Sequence, residues 1–269
     1  MIGREYTGIF PTKIARVAAV AVPLLDVRRL GWTDKLRDIS LQVRAGEVVG
    51  LGGLDGQGQR ELLLALFGVL RGAAGQVSID GRAVTISGPS HAKQKAIGMA
   101  LIPEDRKTEG LMLPMSVRDN LSFAALGRLS RWGIVDRAAE RDAVDRIVKL
   151  LAVRTDGTDL PAGSLSGGNQ QKLVIGKWLM LEPRIILLND PTRGIDVGTK
   201  QEIYQLLRQL ADAGAAILFY STDYDELVGC CDRVLVMYDG SVRRELAGAE
   251  ITEHALISSA LNIGDGFSG

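Results

Sequence analysis

The sequence predicts an α/β protein with a parallel core sheet, an antiparallel β subdomain near the N-terminus and a helical subdomain in the middle. Short apolar runs alternate with helical segments along most of the chain, and this order is typical of parallel sheets. Residues 24–54 hold β-like runs separated by polar turns. From residue 116 to about 181, apolar residues recur at helical spacing instead.

The composition favours an ordinary globular protein. The chain has 269 residues, of which 46% are hydrophobic and 24% charged, and this size suffices for one large domain or one domain with a subdomain. Lys plus Arg equals Asp plus Glu at 32 each, so the formal net charge is zero. This balance gives no electrostatic reason to expect nucleic acid as a partner. The apolar stretch 14–25 is too short to span a bilayer and contains Arg16 and Pro23.

The cysteines and histidines argue against a disulfide scaffold, a zinc site and a catalytic triad. Cys230 and Cys231 are adjacent and cannot form an ordinary structural bridge, so we expect a reducing, cytoplasmic compartment. His91 and His254 lie far apart in the chain. We therefore expect both histidines to be surface or packing residues.

The first half of the chain places a glycine loop between a strand and a helix. The strand ends with residues 48–51, and residues 61–67 are good helix formers. Asp80-Gly81 lies between β-branched residues and predicts a hairpin, and residues 97–102 predict a further buried strand.

The second half alternates helices and strands. Ala143, Ile147, Leu150 and Leu151 predict the apolar face of one helix. The later elements are a strand at 185–188, a helix at 200–213, a strand at 215–220, a short helix at 225–228, a hairpin at 233–246 that turns at Asp239-Gly240, and a helix at 252–262 capped by Thr252.

The glycine loop has the spacing of a phosphate loop. Residues 53–60 read GLDGQGQR, and Gly53, Gly56 and Gly58 allow backbone N–H groups to approach phosphate oxygens closely. Gln59 stands where a lysine is expected, and Arg60 where a serine or threonine is expected. Loss of the lysine weakens nucleotide binding by roughly tenfold to a hundredfold. Alone, this glycine pattern also fits a plain tight turn.

The apolar strand at 185–188 ends in Asn189-Asp190. Nucleotide hydrolysis at this place requires one carboxylate for magnesium and another to position the attacking water. Asn189 adds no charge and can act on the metal only weakly, through a water. Asp190 is one methylene shorter than glutamate, which weakens its hold on the attacking water. A buried strand that ends in a polar turn explains the same residues without chemistry.

Residues 165–172 read LSGGNQQK at the start of a helix. Ser166 and the free N–H groups of Gly167 and Gly168 can form an anion site aided by the helix dipole. A capped surface helix is the simpler alternative.

The order of LSGGNQQK and NDPTRGID resembles the ATP-binding cassette family from residue 24 to residue 246. The resemblance implies a P-loop NTPase cassette fold and ATP and Mg²⁺ as cofactors. In that family the LSGGNQQK site contacts the γ-phosphate of ATP held by the opposite domain of a dimer. The resemblance implies this contact role for Ser166, Gly167, Gly168, Asn169 and Gln170. It also implies that Asp196 belongs to the D-loop, which crosses the dimer interface, and that Thr222 occupies the switch position. The domain's own nucleotide site would contain Trp32, Gly53, Gly56, Gln57, Gly58, Gln59, Arg60, Glu61 and Glu104.

Several of these positions depart from the family pattern. Thr222 replaces a histidine, and Glu104 adds a carboxylate where a glutamine is expected, which repels phosphates. Trp32 either stacks on adenine or belongs to the core. Gln59, Arg60, Asn189 and Thr222 together indicate a degenerate ATP site in which Asp190 keeps a weakened role in positioning the attacking water.

The segments PEDRK, EGL and DPTRGIDVGTK resemble the second cassette of monosaccharide importers, whose two cassettes are fused. This implies a linker at 1–23, a phosphate-loop core with an antiparallel β subdomain at 24–115, a helical signature subdomain at 116–181, the strand-and-switch half with its C-terminal helix at 182–262, and a tail at 263–269.

The resemblance also implies the partners and the place of action. These are the first cassette or a second copy, transmembrane permease subunits and, indirectly, a periplasmic sugar-binding protein, but no nucleic acid. The chain is then peripheral at the cytoplasmic face of the inner membrane, and alone it is a weak or inactive ATPase. The rival is a docking cassette that binds no nucleotide. A soluble cassette ATPase acting on ribosomes or DNA fits less well because basic patches are absent.

Overall fold

The structure is a computed structural model that describes residues 10–11 and 22–262. The predicted tail at 263–269 and most of the predicted linker at 1–23 lie outside these residues. The strands are β1 (Leu25–Trp32), β2 (Leu36–Val43), β3 (Val48–Gly52), β4 (Ala74–Ile79), β5 (Arg82–Val84), β6 (Met99–Ile102), β7 (Ser130–Arg131), β8 (Ile134–Val135), β9 (Ile185–Asn189), β10 (Ala216–Tyr220), β11 (Arg233–Tyr238) and β12 (Ser241–Ala247).

The helices lie between these strands and after them. They are α1 (Gln59–Leu66), α2 (Pro89–Ala92), α3 (Val117–Ser122), α4 (Leu126–Leu129), α5 (Arg137–Leu150), α6 (Gly167–Leu179), α7 (Val197–Asp212), α8 (Tyr224–Cys230) and α9 (Glu253–Ala260). A π-helical turn covers Arg106–Gly110, and single 3-10 turns cover Phe123–Ala125, Ala162–Ser164 and Gly248–Glu250. Among the described residues, no helix is long and apolar enough to cross a membrane.

The core sheet has the strand order β12-β11-β3-β10-β9-β6. All its pairs are parallel except β11 with β12, which form the predicted hairpin at one edge. Along β9, Ile186 and Leu188 pack against one core cluster, and Ile185 and Leu187 pack against the other. Because side chains alternate along a strand, the apolar run of β9 fills both faces of the sheet.

The second sheet is antiparallel, with the order β2-β1-β4-β5. Its β4–β5 hairpin turns at Asp80 and Gly81, which have φ angles of 50° and 73°. Two positive φ values in succession match the twist of a two-residue hairpin. The predicted α/β fold with a parallel core sheet, an antiparallel β subdomain and a helical region is confirmed.

The helical region differs from the prediction in two details. The short hairpin of β7 and β8 interrupts it. Leu150, predicted on the apolar face of α5, is 56% exposed, whereas Ala143 and Leu151 are buried. Leu150 is the last residue of α5 and borders an open groove beside Leu179 and Leu210, so no neighbouring helix covers it.

Candidate functional site

The glycine loop joins β3 to α1, as predicted. Gly53 has φ 125°, and a Cβ there would lie 2.4 Å from the Met237 carbonyl oxygen, so only glycine fits. Gly58 precedes α1 with φ 106°, and no side chain caps this helix. The first N–H groups of α1 therefore remain available to an anion.

Gln59 is buried inside the loop. Its Nε2 donates to the carbonyl oxygens of Gly52 at 3.2 Å and Leu54 at 3.0 Å. The side chain that stands in the lysine position is therefore bonded to the loop's own backbone. Its two hydrogen bonds link the start of α1 to the start of the loop, and its neutral amide adds no positive charge.

Arg60 points to a partner outside the loop. Its guanidinium lies 2.8 Å from the Glu109 carboxylate in the π-helical turn, and both side chains are nearly half exposed. The charge that the sequence offers as a lysine substitute is thus paired with a carboxylate. A guanidinium also cannot coordinate magnesium as a hydroxyl does.

Three further predicted residues surround the loop. The Gln57 Oε1 accepts from the Asp239 backbone N–H at 2.6 Å, which ties the loop to the β11–β12 turn. The Glu61 Oε2 is buried with no hydrogen-bond partner among the described residues. Trp32 is half-buried against the antiparallel subdomain, and its indole N–H donates to the Arg71 carbonyl at 3.0 Å.

Asn189 and Asp190 lie where β9 ends, and both are 2% exposed. The Asn189 Oδ1 has no partner among the described residues. Asp190 has φ 45°, and its Oδ2 accepts from the Thr222 hydroxyl at 2.8 Å. Burial raises the pKa of the Asp190 carboxyl against the opposing bond from Thr222, and the negative charges of Glu226 and Glu104 add to the rise.

Glu104 pairs with Arg193. The charge of Glu104 and its hydrogen bond raise the pKa of Arg193, with smaller contributions from Asp190 and Asp55. Asp55 lies within the glycine loop and accepts from the Tyr220 hydroxyl at 3.0 Å. Sequence reasoning missed Asp55 and Arg193, although one interrupts the glycine motif and the other follows Asp-Pro-Thr.

These residues fit the two expected cofactors unequally. The backbone of Gly53, Gly58 and the start of α1 suits the phosphates of ATP. For Mg²⁺ the strand end offers the orphaned amide oxygen of Asn189 and the carboxylate of Asp190, and the described residues hold no cluster of three or more metal-ligating side chains. The donor set therefore suits the phosphates better than the metal.

The LSGGNQQK segment begins α6, with Ser166 as its N-cap. The Ser166 hydroxyl is exposed and accepts from the Asn169 backbone N–H at 3.4 Å and from the Asn169 Nδ2 at 2.9 Å. The Asn169 Oδ1 in turn accepts from the Arg154 N–H at 2.8 Å. Asn169 thus fixes the orientation of the serine.

The residues that follow Ser166 are half-buried or buried. Gly167 is half-buried and Gly168 is buried; a Cβ on Gly168 would lie 2.5 Å from the Thr199 Oγ1. Gln170 is 6% exposed and donates to the Leu165 carbonyl at 3.0 Å, so it shapes the turn from inside.

Asp196 is exposed and caps α7. Its Oδ1 accepts from the Thr199 N–H at 3.0 Å, and its Oδ2 accepts from the Thr199 hydroxyl at 2.9 Å. The backbone bond from Thr199, and then the hydroxyl bond, lower the pKa of Asp196. Because the same Thr199 touches Gly168, the starts of α6 and α7 lie side by side and share a small polar cavity with Ser166, Asn169 and Asp196 on its wall.

A buried carboxylate that sequence reasoning missed connects the strand ends. Glu226 is 1% exposed and accepts from Thr192, Ser221, Lys200 and Tyr204 at 2.6 to 2.8 Å. No sequence motif marks Glu226, because its partners come from three separate places in the chain: Thr192 after β9, Lys200 and Tyr204 on α7, and Ser221 after β10.

Comparisons with known proteins point to one family. Residues 36–193 match the family model described as ABC transporter. A ribose import ATP-binding protein RbsA 1 of Mesorhizobium japonicum is 74% identical over 263 residues, which are 98% of this chain and 51% of the relative. One from Rhizobium johnstonii is 68% identical over the same shares. The chain therefore spans about half the length of these curated relatives.

Solved structures agree on the fold. The crystal structure of an ATP-binding cassette of an ABC transporter in its ADP conformation superposes with a TM-score of 0.76 at 22% identity, covering 89% of this chain and 97% of the other. At this identity the likeness concerns the fold alone. Since the family model covers more than half of the chain, the chain belongs to the ABC transporter family.

Proposed function

We propose that this chain is the nucleotide-binding cassette of a monosaccharide importer, which couples ATP binding and hydrolysis to transport. The names of the relatives at 74% and 68% identity support ribose as the sugar. The observation that carries the proposal is the exposed, capped start of α6 beside the start of α7. It presents Ser166 and Asp196 on one surface.

The two nucleotide sites of the proposed cassette dimer have different roles. Ser166, Gly167 and Asn169 complete the site in which a partner cassette holds ATP. This chain's own site is degenerate. Gln59 is bonded inward and Arg60 is paired with Glu109, so the lysine position of the loop offers no positive charge.

The chain's own residues would hold ATP without turning it over well. Backbone N–H groups of the glycine loop and the start of α1 bind the phosphates, and Asn189 and Asp190 hold Mg²⁺ weakly. When bound, ATP supplies the phosphoryl group whose transfer to water releases free energy. Asp190 is 2% exposed and its Oδ2 already accepts from the Thr222 hydroxyl, so the carboxyl is poorly placed to take a proton from water.

The partners follow from the importer assignment. They are the first cassette of the same polypeptide or a second copy, the permease subunits and, through them, a periplasmic sugar-binding protein. Nucleic acid is not a partner. The chain then works as a peripheral protein at the cytoplasmic face of the inner membrane. Residues 1–23 serve as the linker between the cassettes, and residues 116–181 form the subdomain that carries the signature.

A titration with a fluorescent ATP analogue, with and without Mg²⁺, tests the degenerate site. We expect saturable but weak binding, a small effect of Mg²⁺ and slow hydrolysis by the chain alone. Hydrolysis at ordinary transporter rates would contradict the proposal. Lack of any saturable binding would instead leave the rival, a docking cassette that binds no nucleotide.

The trans role needs a separate measurement. When the chain is assembled with a cassette that carries complete catalytic motifs, Ser166→Ala lowers the ATP hydrolysis of the pair by about tenfold to a hundredfold. Nucleotide affinity of this chain alone stays unchanged. Ser164→Ala is the matched control, because Ser164 is also exposed and donates only to the Pro161 carbonyl nearby. Equal effects of both substitutions would count against the trans role.

A further inference from the structure

An aromatic residue from the segment that precedes the cassette is seated on its helices. The Phe10 ring stacks on the Tyr204 ring of α7, with centroids 5.2 Å apart and planes at 28°. A Cβ on Gly229 of α8 would lie 2.2 Å from a Phe10 ring carbon. Glycine inside a helix is unfavourable, so a specific reason for it is informative. Here the missing side chain makes room for the ring.

Tyr204 connects this ring to the buried carboxylate. Its hydroxyl donates to the Glu226 Oε1 at 2.7 Å, and burial and the Glu226 charge raise the pKa of Tyr204, which keeps the proton on the hydroxyl. Phe10 therefore packs against the face of a side chain whose polar end holds Glu226 in place.

Glu226 in turn holds the two strand ends of the nucleotide site. Thr192 donates to its Oε2 at 2.6 Å, and Ser221 donates to the same oxygen at 2.8 Å. Thr192 follows the end of β9, two residues after Asp190, and Ser221 directly precedes Thr222. One carboxylate thus joins the strand-end loop to the switch loop.

We propose that the Gly229 socket, formed by Gly229 and Tyr204, is a docking site for Phe10. Its occupancy couples the preceding segment to the nucleotide site through Tyr204 and Glu226. The presence of Phe10 in the socket then biases how Asp190 and Thr222 are held. The docking itself follows from the packing of Phe10, whereas its effect on nucleotide binding rests on the proposed function.

A double-mutant cycle in the full chain tests the docking. Gly229→Ala lowers the Tm because the new methyl group collides with the ring. In the Phe10→Ala background the same substitution raises the Tm by about 2 to 4 °C, because alanine is the better helix former and the socket is empty. Phe123→Ala, at a 54% exposed phenylalanine, is the matched background and leaves the lowering unchanged. The same sign in the wild-type and Phe10→Ala backgrounds would overturn the docking.

Hydrogen exchange tests the coupling without any nucleotide. Tyr204→Phe keeps the stacked ring but removes the hydroxyl donor, so amide exchange speeds up at least about fivefold at residues 190–196 and 221–226. Phe10→Ala produces the same pattern, and β1, β2 and β4 keep their protection. Tyr238→Phe serves as the control for loss of a tyrosine hydroxyl. Unchanged exchange at 190–196 and 221–226 in both variants would overturn the coupling.

Nucleotide affinity gives the functional readout. Phe10→Ala and Tyr204→Phe each weaken binding of the fluorescent ATP analogue by about fivefold, at the low end of usual coupling between sites. Unchanged affinity in both variants would overturn the functional part of the proposal. If the unmodified chain binds no nucleotide, the proposed function fails, and the thermal cycle and the exchange pattern still decide the socket.

Discussion

The phosphate loop (residues 53–60) and the signature segment (residues 165–172) differ in where their polar side chains find partners. In the phosphate loop, Gln59 donates to the backbone carbonyls of Gly52 and Leu54, and Arg60 pairs with Glu109. In the signature segment, Ser166 stays exposed, and Asn169 holds it in orientation. The polar side chains of the phosphate loop thus have partners within the chain, whereas the signature segment presents Ser166 to the solvent.

This difference explains how a substituted motif keeps its shape. Hydrogen-bonding groups need partners once they are buried, and an amide in the lysine position finds them in the loop carbonyls of Gly52 and Leu54. These two bonds link the start of α1 to the start of the loop. Gly53 preserves the same backbone path because the Met237 carbonyl leaves no room for a side chain. Altered side chains at Gln59 and Arg60 are therefore compatible with a retained backbone path.

The largest effect is expected when the phosphate loop regains the residues its motif lacks. Gln59→Lys combined with Arg60→Thr restores the phosphate-binding charge and a hydroxyl for magnesium. We expect nucleotide affinity with Mg²⁺ to rise by about tenfold to a hundredfold. Calorimetric or fluorescence titration measures it. Arg60→Thr alone is the control and gives a much smaller gain. Equal affinity in the double variant and the unmodified chain would show that the lysine position is not what weakens the site.

A second prediction concerns the packing behind the signature segment. Gly168→Ala places a methyl group 2.5 Å from the Thr199 Oγ1, and overpacking of this kind lowers the free energy of unfolding by about 2 kcal/mol. Chemical denaturation measures the loss. Gly127→Ala in α4 is the matched control, because no heavy atom lies within 4 Å of its added Cβ, and we expect no loss there. Equal stability of the two variants would mean that the starts of α6 and α7 are not in close contact.

A third prediction uses the buried carboxyl of Asp190. Its pKa is raised above the ordinary value of 3.8, so at higher pH its ionisation destabilises the folded chain, and this penalty disappears as pH falls below 3.8. Asp190→Asn therefore raises the free energy of unfolding near pH 7 by about 1 kcal/mol, a usual size for one substitution. The gain shrinks toward pH 3.

Denaturation across pH 3 to 8 measures this trend. Asp145→Asn, at an exposed position of α5, controls for the loss of one charge. A gain that persists unchanged at pH 3 would show that the ionisation of Asp190 is not its source.

Local sequence patterns predicted the secondary structure of both regions. Alternating apolar runs predicted the strands, Asp80-Gly81 predicted its hairpin, Thr252 was placed correctly as a helix cap, and Ser166 was placed correctly at the start of a helix. These features depend on residues a few positions apart, so a sequence contains them directly.

The partners of the altered side chains could not be predicted in this way. Arg60 and Glu109 are 49 positions apart, and Glu104 and Arg193 are 89 apart. Such pairs form only when the elements pack. Leu150 shows the same limit, since helical spacing gives the side of α5 it occupies but not whether a neighbouring helix reaches the last turn.

The smallest effect is expected at Glu104, where the phosphate loop region carries an extra negative charge. Glu104→Gln removes the ion pair with Arg193, which is 59% exposed, and exposed pairs contribute little, so stability changes by less than about 1 kcal/mol. Nucleotide affinity rises by about twofold to fivefold, because one charge that repels phosphate is lost and Arg193 is freed. Titration at low and at high salt measures this gain, which shrinks with salt if it is electrostatic. Glu109→Gln offers the comparison, since it frees Arg60 instead. A larger gain from Glu109→Gln would identify Arg60, rather than Arg193, as the cation that faces the nucleotide.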